Sequence, residues 1–566
     1  MDRLHLNVGL EDLARTDEPR VWSSGVAVFE KLEGRWRATG GLGERLSAIV
    51  HRHARSDAAD IPLNVDGAFA YAVCRDGGLT AGCDLLGKST MFYSSVSGGG
   101  LSLSTDLGDL CQKHPQIDEA YVEDFLATGV RSETLTPYVG ISRLSPGQAL
   151  RWDGSLRCED VLSGWSPVPE PWDRDDPAAA LRERLDFVVA GAMLGGGRVG
   201  CELSGGLDSS TVYRIARRLH GADIPSFSYV FPQSEQADER PFILAALGGD
   251  TTSWSPIDGD LDAAFTAEPS GCSPEPSLAL IYAGRIEALE RAVERAGVET
   301  VLTGVGGDSA LFGDSPAPVY LADLIANGRW RQAWRDARRW RSEADTARPT
   351  SFWLTSAGVR PLFRWWARTS LQDREPWPSW YERDWIAHSR LTRRRRARAV
   401  HHPRGVAVSD QLAAVQREGR SLASLYSAHA GVAFRHPLMS LPLLEFMITL
   451  PDSLKVSPAC DRLLHRHAIK DVVPETVRMR RSKGGVDQSI FAGLRRSVHW
   501  RQRLCDDPIL ARRGYIDRDR WRDAVKAFAA GHCQSIRLFH ATAVLETWFQ
   551  ERDRRSQREA SAGTSP

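Results

Sequence analysis

The chain has 566 residues, 72 Lys plus Arg against 72 Asp plus Glu, and 42% hydrophobic and 25% charged side chains. That length calls for a sizeable core and at least two domains, and the composition excludes disordered and fibrous classes. Zero net charge gives no electrostatic reason for a nucleic-acid partner, and no apolar run approaches the ~18 residues of a membrane span. Nine Cys lie scattered without a C-x-x-C pair, which suits reduced thiols better than a disulfide framework or a zinc site. The first twenty residues lack an apolar signal core, so a cytoplasmic enzyme is expected.

From Val21 to about Trp152 the sequence reads as short strands separated by Gly and Asp turns. Val65 to Cys74 alternates side chains between two faces, and Arg75-Asp-Gly-Gly78 turns the chain back. Ala81 to Asp84, Met91 to Tyr93 and Leu101 to Ser104 are further strands of antiparallel character. A helix is expected over Ile117–Thr128, with Asp118 as its cap and Tyr121, Phe125 and Leu126 on one face. The Pro- and charge-rich stretch 164–177 is the best linker in the chain.

Beyond it the pattern becomes helix (Ala178–Leu194), strand (Arg198–Leu203), Gly-Ser turn, helix (Ser209–His220) and strand (Ile224–Phe231), the signature of a parallel sheet. Thr300–Thr303 is a further buried strand ending in a second Gly-rich turn, and the rest is mostly helical. Nine of the 18 Trp fall between Trp330 and Trp385. They line either a groove for a bulky substrate or ordinary buried helix faces. The spacing of Trp330, Trp334 and Ala337 predicts the second, as one buried face. Arg393–Arg396 with Arg398 reads as a solvated helix face, with a peptide or phosphate contact as the alternative.

Chemistry is concentrated in Cys201-Glu-Leu-Ser-Gly-Gly-Leu-Asp-Ser-Ser-Thr211, at a strand end and a helix start. Adjacent glycines let backbone N–H groups close on an anion. Ser204, Ser209 and Ser210 add hydroxyls, and the helix N-terminus points its partial positive charge at the same place. Asp208 beside a polyphosphate is repulsive unless a cation lies between them, and Mg²⁺ is the natural bridge. S-G-G-x-D-S arises by chance in a chain this long on the order of 0.1% of the time. It is neither a Walker A loop nor a dinucleotide fingerprint.

Ser204-Gly-Gly-Leu-Asp-Ser-Ser210 resembles the pyrophosphate loop of the N-type ATP pyrophosphatases. Phe227-Ser-Tyr-Val-Phe231 with Asp238-Glu239, Val301-Leu-Thr-Gly-Val-Gly-Gly-Asp308, Phe434-Arg-His-Pro-Leu438 and the basic segment Arg478–Lys483 narrow the resemblance to the asparagine-synthetase superfamily. In the first half, Asp66-Gly-Ala-Phe69, Asp84, Gly87 and Ser104-Thr-Asp106 resemble its glutaminase-type N-terminal nucleophile domain. The resemblance implies a glutaminase-like α+β sandwich domain (1–163), a linker (164–177) and an α/β parallel-sheet ATP pyrophosphatase domain with large helical additions (178–560). It implies ATP and Mg²⁺ as cofactors. Leu203, Ser204, Gly205, Gly206, Leu207, Asp208, Ser209, Ser210, Ser228 and Gly304 would bind ATP, with Asp208 and Asp308 on the metal and Lys483 as the catalytic lysine. Arg466 falls at a family basic position or in a salt bridge.

The departures say more. The glutaminase needs Cys directly after the initiator Met as nucleophile, and here that residue is Asp2. Without delivered ammonia the amine must come with the substrate, as in β-lactam synthetases and lasso peptide cyclases. The β-lactam branch places a Tyr where this chain has Val305, and an N-terminal amine of pKa ~7.7–8.0 needs less help losing its proton than an amide nitrogen. The expectation is an AMP-forming lasso peptide cyclase that joins an Asp or Glu side chain of a leader-cleaved core peptide to the peptide's N-terminal amine. Its implied partners are that core peptide, a leader peptidase and a leader-recognition protein, with no nucleic acid and no membrane. The rivals are a β-lactam- or asparagine-synthetase-like ligase of small amino acids, and a silent peptide-binding scaffold.

Overall fold

The computed structural model describes all residues except 1–2, 10–12, 14–18, 40–45, 97–98, 113–115, 168–174, 196, 222–223, 270–272, 313–317, 345–347, 368, 372–376, 389–395, 399, 427–431, 459, 481–483, 486 and 563–566. Asp2, half of the expected linker (168–174), Arg393–Arg395 and Lys483 therefore lie outside the described residues.

The first part of the chain builds two antiparallel sheets. One has the order β1-β7-β6-β8 and the other β10-β9-β5-β4-β2-β3. Their strands are β1 (His5–Val8), β2 (Arg20–Leu32), β3 (Arg35–Ala38), β4 (Val65–Arg75), β5 (Gly78–Cys83), β6 (Phe92–Val96), β7 (Gly100–Ser104), β8 (Ser142–Arg143), β9 (Gln148–Trp152) and β10 (Leu156–Asp160). Asp76 and Gly77, both at positive φ, close the β4–β5 hairpin, as a two-residue turn matched to strand twist requires. Ala70, Ala72 and Cys74 of β4 pack with Leu101 and Leu103 of the facing sheet. The alternate residues Phe69, Tyr71 and Val73 pack on Ile49 and Val50 of α1 (Leu46–His53). Helix α2 (Glu119–Thr128) is capped by the Asp118 carboxylate, which accepts from Ala120 N at 2.8 Å.

After α3 (Pro177–Met193) come β11 (Val199–Glu202), α4 (Leu207–His220), β12 (Ser226–Val230), β13 (Trp254–Asp258), α5 (Ala283–Arg295), β14 (Thr300–Leu302) and, much later, the last strand of this sheet, β17 (Ala433–Arg435). All five strands are parallel, in the order β13-β12-β11-β14-β17. The direction of winding reverses between β11 and β14, and both Gly-rich turns leave the sheet there. A crevice at such a reversal is where open α/β sheets bind ligands.

Between β14 and β17 lie α6 (Tyr320–Ala326), α7 (Trp330–Glu343), a π-helical segment Leu354–Val359 running into α8 (Arg360–Trp366), and α9 (Val406–Tyr426). The expected buried face of α7 is displaced. Ala333, Ala337 and Trp340 are buried, whereas Trp330 and Trp334 are 61% and 53% exposed. The reason is charge: Arg338 and Arg341 continue the stripe of Trp330 and Trp334, so burying it would bury guanidinium groups. The alanine stripe carries no charge and brings Trp340 within 5.3 Å of Trp353. Arg396–Arg398 is a strand (β16) paired with Thr369–Leu371 (β15), not part of a helix. Near the C-terminal side, α10 (Leu463–Ala468) packs on α3. No helix among the described residues is long and apolar enough to cross a membrane, and the eight described cysteines are free.

Candidate active site

The first loop is built by its own hydroxyls. Ser209 Oγ accepts from Ser204 N at 3.1 Å and lies 2.9 Å from Ser204 Oγ. Gly205 takes φ +75°, where side chains are strained, and Gly206 caps α4. The second loop is held from outside. Thr303 Oγ1 lies 2.7 Å from His436 Nδ1, and Gly306 N donates to Glu418 of α9 at 2.9 Å. Desolvation pushes the His436 imidazole down to about 3, so it stays neutral. The loops touch: a Cβ at Gly304 would overlap Ser209 N, and one at Gly307 would overlap the Asp208 carboxyl. Two separate Gly requirements thus meet at one contact.

That contact brings Asp208 and Asp308 to one point. Arg462 Nη1 donates to Asp208 at 2.8 and 3.1 Å and to Asp308 at 2.7 Å. The Arg462 side chain is 6% exposed, and its backbone sits at φ 51° at the start of α10. Asp461 braces it, with its carboxylate 3.2 Å from Arg462 and 2.8 Å from Arg466. Burial alone would raise the Asp461 carboxyl, but these two guanidinium groups hold it below the ordinary value. Arg466 is therefore in a salt bridge. His465, buried and pushed down to about 3 mainly by burial, lies 3.1 Å from Thr211 Oγ1 and contributes no charge.

A single cationic nitrogen between two carboxylates marks a cation position shared by both. Mg²⁺ binds with one or two carboxylates, keeping its other positions for water and substrate phosphates. Asp208 and Asp308 fit that donor set. Among the described residues no cluster of three or more His, Cys, Asp or Glu forms a cage that would hold a metal without such phosphates.

The other expected ATP-binding residues divide. Ser204 is exposed, and Gly205, Gly206, Asp208, Ser209 and Gly304 surround the contact between the loops. The side chains of Leu203 and Leu207 are buried, as is that of Ser210. It occupies the inward face of α4. Ser228 Oγ donates to Leu203 O at 2.5 Å, accepts from Trp254 Nε1 at 3.0 Å and is buried, so it supports the loop from beneath. Lys483 falls outside the described residues, but its flanks are placed. Arg480 pairs with Glu239, and Gly484 N donates to the same carboxylate at 2.5 Å. Glu239 O lies 3.2 Å from where a Gly205 Cβ would be, so both flanks sit beside the first loop.

Arg462, Glu418 and Glu202 escaped the sequence reading. Arg462 lies 254 residues from Asp208 in a helix of mixed His, Arg and Leu, and no local pattern links them. Glu202, the last residue of β11, accepts from Tyr426 OH at 3.0 Å, and desolvation pushes its carboxyl up to about 7. Beside Asp308 a small cavity of about 40 Å³ has walls that include Phe312, Tyr320, Asp410, Ala414, Asp452 and Val456.

The family model described as asparagine synthase matches residues 180–255 and 282–550. No curated protein matches the chain. Among solved structures, glutamine phosphoribosylpyrophosphate amidotransferase from B. subtilis complexed with ADP and GMP is similar at 10% identity and a TM-score of 0.16. The match covers 46% of this chain and 64% of that one, and likeness at this level carries no argument.

Proposed function

The chain belongs to the asparagine synthase family, and we propose that it is an ATP-using carbon–nitrogen ligase that closes a macrolactam ring in a peptide, as lasso peptide cyclases do. An Asp or Glu side-chain carboxylate of the core peptide attacks the α-phosphorus of ATP. The α–β phosphoanhydride bond breaks, leaving an acyl-adenylate and pyrophosphate. The peptide's N-terminal amine attacks the acyl carbon, loses a proton, and AMP departs, so the peptide loses one water.

The observation that carries this reading is the convergence of Asp208 and Asp308 on one cation position at the winding reversal of the sheet. Mg²⁺ held there would neutralise phosphate charge. The N-terminus of α4 and Ser204 would receive the pyrophosphate, Arg462 would lend charge at the same place, and Lys483 would stabilise the α-phosphate and tetrahedral intermediate. Val305 in place of a Tyr favours a substrate that brings its own amine. The reading extends to a cytoplasmic protein served by a leader peptidase and a leader-recognition protein.

The test uses purified protein, MgATP and synthetic peptides with a free amino terminus and one internal Asp or Glu. AMP and pyrophosphate release, with a product lighter by one water, is expected for the right peptide; ADP release would end this reading. Turnover of free small amino acids without peptide would favour the small-amide ligase instead. Lys483→Ala should abolish cyclisation in a folded protein, and an active variant removes Lys483 from the mechanism.

A further inference from the structure

The C-terminal edge of the parallel sheet holds a half-buried carboxylate that the chemistry above leaves unused. Side chains alternate along β11, so Glu202 faces away from Cys201 and Leu203, which pack in the core with Val212 and Ile215 of α4. In register it lies opposite Phe227 of β12, and Leu203 and Ser204 follow it directly in the chain. Its carboxylate accepts from Tyr426 OH at 3.0 Å. The Tyr426 ring packs on Phe434 at 4.5 Å and on His436 at 5.0 Å. His436 Nδ1 lies 2.7 Å from Thr303 Oγ1, which accepts from Val305 N at 3.2 Å. The pair is thus tied by sequence to the first loop and through His436 to the second, and those loops touch at Ser209 and Gly304. Glu202 and Tyr426 both remain partly exposed.

The surroundings supply no counter-charge. Among the described residues, burial and the Tyr426 hydrogen bond act on Glu202, and no cation does. Tyr229 of β12 stands within electrostatic reach of Glu202, and Glu418 of α9 within reach of Tyr426. His436 is neutral, and Lys88, which faces it, is paired with Asp66. Arg285 of α5 sets its guanidinium over the rings of Tyr229, Phe231 and Tyr282 at 5.0, 5.7 and 5.3 Å. A carboxylate taken out of water among aromatic rings, with no cation beside it, is costly to keep ionised. It is also ready to receive a cation, and an amine is the one a ligase substrate brings. Desolvation sets the Glu202 carboxyl at about 7, where a general base works well at neutral pH.

We propose that Glu202, oriented by Tyr426, receives the attacking amine of the substrate and takes its proton as the amide bond forms. This rests on the reading of the chain as a ligase whose substrate supplies its own amine. The nitrogen lone pair closes the C–N bond on the acyl-adenylate, an N–H proton passes to the Glu202 carboxylate, and the C–O bond to AMP breaks with its electron pair leaving on the phosphate. Val305 offers no proton acceptor in the second loop. Glu202 meets that need from the strand that feeds the first.

The experiment separates the two chemical steps on the full-length protein with MgATP and the synthetic peptides described above. Pyrophosphate release in the presence of hydroxylamine, which captures an acyl-adenylate without help from a base, reads the first step. Loss of one water from the peptide reads the second. Glu202→Gln is expected to keep pyrophosphate release and hydroxamate formation near those of the wild type while ring closure at pH 7 falls about 100-fold. The closure rate of the wild type should level off above about 7, whereas that of the variant should keep rising through the ~7.7–8.0 range in which the amine sheds its own proton. Tyr426→Phe, which keeps the ring and removes the hydrogen bond, should slow closure about tenfold. Ring closure by Glu202→Gln at the wild-type rate overturns the proposal and leaves the cyclase reading standing. So does loss of pyrophosphate release together with closure, which places Glu202 in the first step or in the fold. A wild type that releases no pyrophosphate with any peptide sinks the ligase reading, and this proposal with it.

Discussion

At the scale of single residues the site is governed by how charge is enclosed. Glu202 has an ordinary carboxylate value of 4.5, and desolvation pushes it up to about 7 although the Tyr426 hydroxyl donates to it. Between these values the folded protein keeps a proton that the unfolded chain has released. The contribution of Glu202 to stability is therefore full below 4.5 and is lost as pH rises through about 7. Glu202→Gln should remove this loss. Melting temperatures are expected to shift in favour of the variant as pH climbs from 4.5 to about 7 and to keep a constant difference above it, and parallel curves throughout would show that Glu202 ionises freely. Arg462 makes a second case. Removing one partner of a buried ion pair costs about 3–5 kcal/mol, so Arg462→Ala without Mg²⁺ should be destabilised by that order. Added Mg²⁺ should raise its melting temperature more than that of the wild type. Equal shifts would place the metal elsewhere. The Asp208 loop was legible in the sequence because all its parts are local; Arg462 was not, because only folding brings it there.

At the scale of elements the strands and helices follow the pattern of the sequence closely, and the departures have a common cause. Periodicity identifies that a helix has an apolar face, but two stripes of α7 satisfy the same spacing. The choice went to Ala333, Ala337 and Trp340 because the neighbouring α6 approaches the small residues and leaves the Arg-flanked tryptophans in water. Ala337→Leu should therefore cost about 1–3 kcal/mol by overpacking, while Trp334→Ser should change stability by less than about 0.5 kcal/mol. Chemical denaturation of both variants checks the pair. The reverse ranking would restore Trp330 and Trp334 to the core. Ser210 follows the same logic: its type suits phosphate, but its position on α4 turns it inward.

At the scale of the whole molecule, the antiparallel sheets brace the second loop of the site. Lys88 Nζ lies 2.7 Å from the Asp66 carboxylate, both side chains nearly out of solvent, and donates to Met439 O at 3.1 Å. Met439 in turn packs on Gly306 of the second loop. Asp66 and Asp84, which resemble glutaminase residues, here serve structure: Asp84 accepts from Leu86 N, Lys88 N and Ser89 N. Glu445 adds a second tie, accepting from Lys31 at 2.9 Å, Trp36 at 2.7 Å and Trp165 at 3.2 Å. Lys88→Ala should cost about 3–5 kcal/mol and reduce ligase activity through the second loop, which thermal denaturation and AMP release measure together. Full activity in the variant would separate the two halves functionally. The sequence by itself brought out the order of elements and the two Gly-rich turns with Asp208 and Asp308, because each is written in neighbouring residues. Only the tertiary structure decided that Asp208 and Asp308 come together and that Arg462 stands between them. Those are contacts between segments tens to hundreds of residues apart, and close packing settles them.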